Sequence, residues 1–163
     1  MGCGKSAVGK QLADKLNFDF IDSDLFIEKK HQKSIPEIFM TEGEDKFRNL
    51  EHNCLEDIIA EMNNKNIIIS TGGGTPCFYD NMELMNGSGI TIYLQISAEA
   101  LMNRLRNEKS TRPLIKDLTD EKLKNYIQEN LKQREVYYLQ ARHTVNAENM
   151  EGVLEDIVEL LNC

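Results

Sequence analysis

Gly2-Cys3-Gly4-Lys5-Ser6, at the start of the chain, matches the second half of the phosphate-binding pattern G-x-x-x-x-G-K-[ST]. In that pattern, backbone N–H groups surround the phosphates of a nucleotide, the lysine reaches the outer phosphates, and the hydroxyl holds Mg²⁺. Gly4, Lys5 and Ser6 fill its last three positions. The stretch therefore predicts a nucleotide-phosphate site, with a glycine-rich tail before an ordinary helix as the alternative.

A helix is predicted directly after this stretch. Val8, Leu12 and Leu16 recur at helical spacing, with Ala13 beside them. Ser6 then lies at the first turn, where free N–H groups and the helix dipole favour an anion. The helix supports the phosphate-binding interpretation.

The chain of 163 residues is long enough for one domain with a full core, and we predict a single domain over residues 1–163. Its composition, 40% hydrophobic and 28% charged, is that of a soluble globular protein. It contains no apolar run long enough to span a membrane. A formal net charge of −8 argues against nucleic acid and anionic membranes as partners.

The cysteines and histidines indicate neither a metal site nor a disulfide framework, because they form no C-x-x-C pair and no zinc-finger spacing. They are Cys3, Cys54, Cys77 and Cys163, with His31, His52 and His143 scattered among them. We interpret the histidines as structural or surface residues. The cysteines fit a reducing cytoplasm.

Strands alternate with helices along the chain, which predicts an α/β fold with a parallel sheet covered on both faces. The strand at Ile67–Ser70 is apolar, as is typical of strands buried on both faces of such a sheet, and the strand at Ile90–Ile96 is predicted to be a second buried strand. The four predicted strands are Asn17–Asp22, Ile67–Ser70, Ile90–Ile96 and His143–Asn146. This is the three-layer architecture of P-loop kinases.

Helix boundaries are indicated by residues that commonly cap N-termini. Ser34 begins a capping box with Pro36 in the first turn, and Ser97 and Thr119 precede later helices. The last helix is predicted from Glu148 to Leu161.

Asp22 and Asp24 follow the first predicted strand. In extended backbone, residues i and i+2 point to the same side, so both carboxylates can face one site. The alternative is that Asp24 merely caps the next helix.

Gly72, Gly73 and Gly74 end the second strand abruptly. Three consecutive glycines add no side chain to the core, so we favour close approach of backbone to a ligand over a simple loop.

Basic residues concentrate between Arg104 and Asp120, which is conspicuous on an acidic chain. This polar, irregular stretch with few apolar anchors is predicted to close over phosphates as a lid at about residues 104–120, with a solvated linker as the alternative. Arg48 lies off the centre of its helix's apolar stripe, where a solvated arginine is the commoner case.

In order, five motifs resemble those of shikimate kinases and cover nearly the whole chain. They are Gly2–Ser6, Phe20–Asp24, Gly43–Glu51, Ser70–Gly74 and Thr111–Leu114. The resemblance implies ATP-dependent phosphorylation of the 3-hydroxyl of shikimate, with Mg²⁺ as cofactor.

On the nucleotide side, the resemblance implies that Lys5 and Ser6 are the phosphate-binding lysine and the Mg²⁺-side hydroxyl. Asp22 matches the acid near the metal, and Arg112 matches the lid arginine that reaches ATP phosphate. The adenine-contacting arginine is either Arg104 or Arg106.

On the shikimate side, Asp24 matches the carboxylate that holds and deprotonates the reacting hydroxyl. Arg48 and Arg134 match the two arginines that grip the substrate carboxylate, a task suited to planar bidentate donors. Gly72, Gly73 and Gly74 match the backbone that lines the pocket.

The resemblance also places a central strand before the phosphate loop, between the strands at Ile67–Ser70 and Ile90–Ile96. This chain does not contain that strand or the first glycine of the pattern. We expect the natural protein to begin upstream of Met1, and Met1 to be an internal methionine.

Two alternatives to shikimate kinase activity stay open at this point. One is another small-molecule kinase of the same superfamily, such as a gluconate kinase. The other is a non-catalytic relative, because the phosphate loop is truncated. We expect a monomer whose partner is its small-molecule substrate.

Overall fold

The computed structural model describes residues 2–61, 65–108 and 115–161. These residues form two compact units. The first unit is Lys5–Ile90, and the second consists of residues 2–4 together with the described part of 91–161.

The first unit contains two parallel strands and five helices. In chain order they are α1 Lys5–Leu16, β1 Asp19–Asp22, α2 Ser23–His31, α3 Ile35–Glu42, α4 Glu44–Glu61, β2 Ile67–Ser70, a 3₁₀ turn Thr75–Cys77 and α5 Asn81–Ser88. Asp19 pairs with Ile67 and Asp22 with Ser70, so both strands end at the same edge.

The second unit also contains a two-stranded parallel sheet. Its elements are β3 Ile92–Gln95, α6 Ala98–Glu108, α7 Asp120–Tyr138, β4 His143–Asn146 and α8 Val153–Leu161. Ile92 pairs with His143 and Gln95 with Asn146. The predicted α/β class with parallel strands is confirmed.

Apolar residues at helical spacing form the core of each unit. In the first, the buried cluster joins α2, α3 and α4 through Ile27, Ile38, Phe47, Leu50 and Cys54. In the second, the buried apolar residues include Leu101, Leu105, Ile115, Leu123 and Ile127. The predicted caps are also present, because the Ser34, Ser97 and Thr119 hydroxyls accept from the N–H groups of Glu37, Ala100 and Lys122.

Predicted boundaries of three elements are wrong, two of them for local backbone reasons. β1 begins at Asp19 because Asn17 takes a left-handed φ of 55° after α1. α8 begins at Val153 because Gly152, with φ +87°, cannot belong to a right-handed helix. β3 spans Ile92–Gln95, and Ile90 is 53% exposed.

The expected two-sided burial of β2 is also wrong. Ile67, Ile68 and Ile69 are each only half-buried. Within the described part of its unit, β2 pairs with β1 alone, so one edge of the strand has no strand neighbour there.

The predicted irregular stretch over residues 104–120 is wrong at its start. α6 continues to Glu108. Two apolar residues of this stretch, Leu105 and Ile115, have no exposed surface. Between these ends, residues 109–114 lie outside the described part of the chain.

Among the described residues, no helix combines the length and apolar character needed to cross a lipid bilayer.

Candidate active site

The glycines of the phosphate loop adopt backbone conformations that other residues rarely take. Gly2 has φ +71° and Gly4 has φ +88°. A side chain on Gly2 would in addition place its Cβ 2.8 Å from Cδ2 of Leu105. The loop therefore needs glycine at both positions.

Ser6 and Asp22 form the link between the N-terminus of α1 and the end of β1. Ser6 Oγ donates a 2.6 Å hydrogen bond to Asp22 Oδ2. The other oxygen, Oδ1, accepts from the backbone N–H groups of Asp24 at 3.1 Å and Leu25 at 3.3 Å. Asp22 is therefore the N-cap of α2, and the alternative that Asp24 caps this helix is wrong.

The Ser6 and Asp22 oxygens fit a magnesium ion. Mg²⁺ prefers oxygen ligands and is usually held by one or two carboxylates together with phosphate and water. One carboxylate oxygen and one hydroxyl already lie 2.6 Å apart. No group of three or more His, Cys, Asp or Glu side chains that could hold a metal is found in the described residues.

Asp24 lies in the first turn of α2, because the helix begins at Ser23. The extended-backbone argument for its orientation is therefore wrong. What brings it to the site is a tertiary contact: the buried hydroxyl of Ser23 accepts from the N–H of Gly72 at 3.1 Å.

The environment of Asp24 suits a general base. Burial, followed by the charges of Asp22 and Glu51, raises the pKa of its carboxyl above the usual 3.8, while Lys5 opposes the shift. A carboxylate with a raised pKa accepts a proton more readily. Within the described residues, its side-chain oxygens accept no hydrogen bond, which leaves them for a substrate hydroxyl.

Arg48 is a buried ion-pair partner, and the expectation of a solvated arginine is wrong. Its side chain is 9% exposed. Nη1 donates to Glu51 Oε2 at 2.6 Å. Nη2 and Nε donate to Glu44 Oε1 at 2.9 and 3.2 Å.

These contacts leave part of the guanidinium available. Arginine has five N–H donors, of which the three bonds to Glu44 and Glu51 use three. One N–H on Nη1 and one on Nη2 remain without a partner in the described residues. The guanidinium carbon lies 4.1 Å from the ring centroid of Phe78, which fixes its plane. Two adjacent donors in a fixed plane match a carboxylate.

The glycine loop passes directly against both functional groups. A Cβ on Gly74 would lie 2.5 Å from Arg48 Nη1, and one on Gly72 would lie 3.0 Å from Asp24 Oδ1. Neither glycine has a positive φ, so close approach is the reason for glycine here. Gly73 lies between them in the same loop.

Arg134 lies in the second unit, half-buried on α7. It lines a small open cleft together with Leu101, Ile127, Asn130, Leu131 and Tyr138. No ion pair of Arg134 is found among the described residues.

The two candidates for the adenine-contacting arginine differ in their surroundings. Arg104 donates to the backbone carbonyls of Ala147 at 2.7 Å, Glu148 at 3.1 Å and Cys3 at 3.3 Å. Arg106 is about half exposed and pairs with Asp120 at 2.9 Å. Arg112 lies outside the described residues.

Sequence reasoning missed four residues around Arg48, one of which is Glu44, four positions before it on the same helix. Glu51 stands three positions after Arg48 on the same helix, a spacing at which side chains meet, and this signal was available. Thr75 and Phe78 reach the site only through the fold of the glycine loop, and no sequence signal indicates them.

The match to a family model is nearly complete. The model described as "Shikimate kinase" matches residues 1–162. Among curated proteins, a shikimate kinase of Azobacteroides pseudotrichonymphae is 50% identical, with 99% of this chain and 92% of that protein covered. One from Parabacteroides distasonis is 45% identical over the same shares.

Solved structures agree with these matches. The shikimate kinase of Bacteroides thetaiotaomicron has a TM-score of 0.93 at 40% identity, covering 100% of this chain and 94% of that one. The Acinetobacter baumannii enzyme in complex with shikimate has a TM-score of 0.83 at 32% identity, covering 99% and 88%.

Proposed function

Because the chain belongs to the shikimate kinase family, we propose that it transfers the γ-phosphoryl group of ATP to the 3-hydroxyl of shikimate. The products are shikimate 3-phosphate and ADP, on the route to chorismate and the aromatic amino acids. The comparisons support neither a gluconate kinase nor a non-catalytic relative.

One observation carries this proposal at the level of residues. The loop of Gly72 and Gly74 lies against the Asp24 carboxylate at one end and the Arg48 guanidinium at the other. A base for a hydroxyl and a donor pair for a carboxylate thus line one stretch of backbone. Shikimate carries both a hydroxyl and a carboxylate.

Asp24 acts as the general base in this proposal. It takes the proton of the 3-hydroxyl as the oxygen forms its bond to the γ-phosphorus and the bond to the ADP oxygen breaks. Burial and the neighbouring charges that raise the Asp24 pKa support this role.

Phosphate charge is balanced by the other groups. Lys5 and the phosphate loop of Gly2, Cys3 and Gly4 bind the phosphates, and Arg112 adds a further positive charge. Ser6 and Asp22 would hold Mg²⁺, which would neutralise charge that develops on the phosphate oxygens.

The shikimate carboxylate is gripped by two arginines. Arg48 offers its remaining Nη1 and Nη2 donors, and Arg134 contributes a second guanidinium. Their lack of competing partners at those donors, within the described residues, supports the assignment. On the nucleotide side, the adenine contact falls to Arg104 or Arg106.

A coupled assay of ADP release tests the function directly. The purified chain, ATP and Mg²⁺ should turn over with shikimate and not with gluconate, which also presents hydroxyls and a carboxylate. If ADP is released with gluconate but not with shikimate, gluconate is the substrate and the proposed function is wrong. ATP binding without turnover would identify a non-catalytic relative.

We place the enzyme in the cytoplasm, as the free thiols of Cys3 and Cys54 suggest.

A further inference from the structure

We propose that Thr75 is a positioning residue for the reaction: acting through Glu51, its hydroxyl keeps the Arg48 guanidinium open to the substrate carboxylate. The inference rests on the proposed function, since it explains how the Arg48 donors stay available for shikimate. Thr75 itself need not touch substrate.

Glu51 connects Thr75 to Arg48. It is 3% exposed, although it is a carboxylate. Oε2 accepts from Arg48 Nη1 at 2.6 Å, and Oε1 accepts from Thr75 Oγ1 at 2.7 Å. With one donor on each oxygen, the carboxylate cannot rotate without losing a hydrogen bond.

Thr75 is itself buried and held by a hydrogen bond from Asn81. It is 2% exposed, and its carbonyl accepts from Asn81 Nδ2 at 2.9 Å. Asn81 has no exposed surface, and its Oδ1 lies 2.7 Å from His52 Nδ1. Because the Asn81 amide group donates to Thr75, Oδ1 is the acceptor and His52 Nδ1 carries the proton.

This chain of contacts places the Thr75 hydroxyl without help from substrate. The backbone N–H of Thr75 also donates to the carbonyl of Gly72 at 3.2 Å, within the loop that lines the proposed site. Loop, hydroxyl and guanidinium are therefore set by one network of buried hydrogen bonds.

Loss of the Thr75 hydroxyl would leave Glu51 Oε1 buried without its donor. A buried acceptor in that state is unfavourable, and the Arg48 guanidinium is already bonded to the other oxygen. We expect the carboxylate to turn and take a second N–H from Arg48. That N–H is one that the shikimate carboxylate needs, so the enzyme's own glutamate would compete with substrate.

Thr75→Val tests this competition, since it exchanges the hydroxyl for a methyl group of similar size. KM for shikimate should rise about tenfold while kcat and KM for ATP stay within about twofold. Thr75→Ser keeps the hydroxyl and should restore the KM. Thr41→Val is the matched control, because the exposed Thr41 hydroxyl bonds only its own helix.

A second readout does not depend on turnover. In the intact protein, the NMR signals of the Arg48 side-chain nitrogens should be resolved, because Glu51 holds Nη1. These signals are assigned as the ones that disappear from the spectrum of Arg48→Lys. They should stay resolved in Thr75→Ser and be rearranged in Thr75→Val. Should Thr75→Val fail to fold, Thr75→Ala is compared with Thr75→Ser in the same way.

Two results would overturn the inference. One is an unchanged KM for shikimate with unchanged Arg48 signals in the variant lacking the hydroxyl. The other is an equal rise of KM for shikimate and ATP, which indicates a general structural defect. If the wild type does not phosphorylate shikimate but the Arg48 signals respond to Thr75→Val alone, the proposed function fails and the positioning role stands.

Discussion

In the proposed function, Arg48 is the residue on which binding of the shikimate carboxylate depends most directly. Its replacement by alanine removes two donors from the substrate carboxylate and leaves Glu51 buried without its partner. A hydrogen bond to a charged group contributes about 1.5–3 kcal/mol. Arg48→Ala should therefore weaken shikimate binding roughly ten- to a hundredfold and ATP binding far less.

Calorimetric titration of each ligand measures this difference. Because an unpaired buried Glu51 destabilises the fold, thermal unfolding is recorded in parallel, and Arg48→Lys serves as a variant that keeps the charge but loses the planar pair of donors. Equal losses for shikimate and ATP would contradict the assignment.

Asp24 should set the acidic side of the pH profile. The proposed mechanism needs the ionised form of Asp24, and burial with the charges of Asp22 and Glu51 raises its pKa above 3.8. kcat/KM for shikimate should therefore fall as the pH drops through this raised value, at a higher pH than for an ordinary aspartate. A pH profile of initial rates locates the fall.

The variant Asp24→Asn is expected to lower activity but to increase the stability of the fold. The raised pKa means that the folded state binds the proton more tightly than the unfolded state, so ionised Asp24 destabilises the fold above that pKa. Asn should lower kcat by about 10²–10⁴ and raise Tm at neutral pH. A drop in Tm with kcat retained would mean that Asp24 has a structural role instead.

At the scale of elements, the glycine loop requires residues without a side chain, because its backbone passes close to the side chains of Asp24 and Arg48. Gly74→Ala would push a Cβ to 2.5 Å from Arg48 Nη1. Since Glu51 holds that nitrogen, the guanidinium must shift, and KM for shikimate should rise about tenfold.

Gly87→Ala is the matched control. Gly87 lies within α5, and a Cβ added there would meet nothing within 4 Å, so alanine should stabilise the protein by about 0.4–1 kcal/mol without affecting KM. Kinetics and thermal unfolding of the two variants decide the point. Equal KM values in both would show that the loop tolerates a side chain beside the arginine.

At the scale of the whole molecule, charge governs association. A net charge of −8 disfavours self-association. We therefore predict a monomer of 18.7 kDa in solution. Light scattering across a range of concentrations measures this, and a mass that doubles together with activity would point to a dimer instead.

Local features of the fold could be predicted from the sequence. Strands β2 and β4 have the predicted bounds, and the caps at Ser34, Ser97 and Thr119 are confirmed. Hydrophobic periodicity and capping depend on residues three or four positions apart, so the local sequence is enough to predict these elements and caps. The boundaries that failed, at Asn17 and Gly152, depend on backbone angles that the periodicity does not report.

The sequence by itself determined the residue types of the site and the family, because the motifs are short and contiguous. Only the tertiary structure decided their arrangement: Asp22 as cap, Arg48 buried beside Glu51, and Phe78 beneath the guanidinium. Phe78 lies thirty positions from Arg48, and such contacts arise when the glycine loop folds back onto α4. The physical reason for these contacts is that a buried charge needs partners. A segment far away in the sequence can supply such partners once packing brings it near the charge.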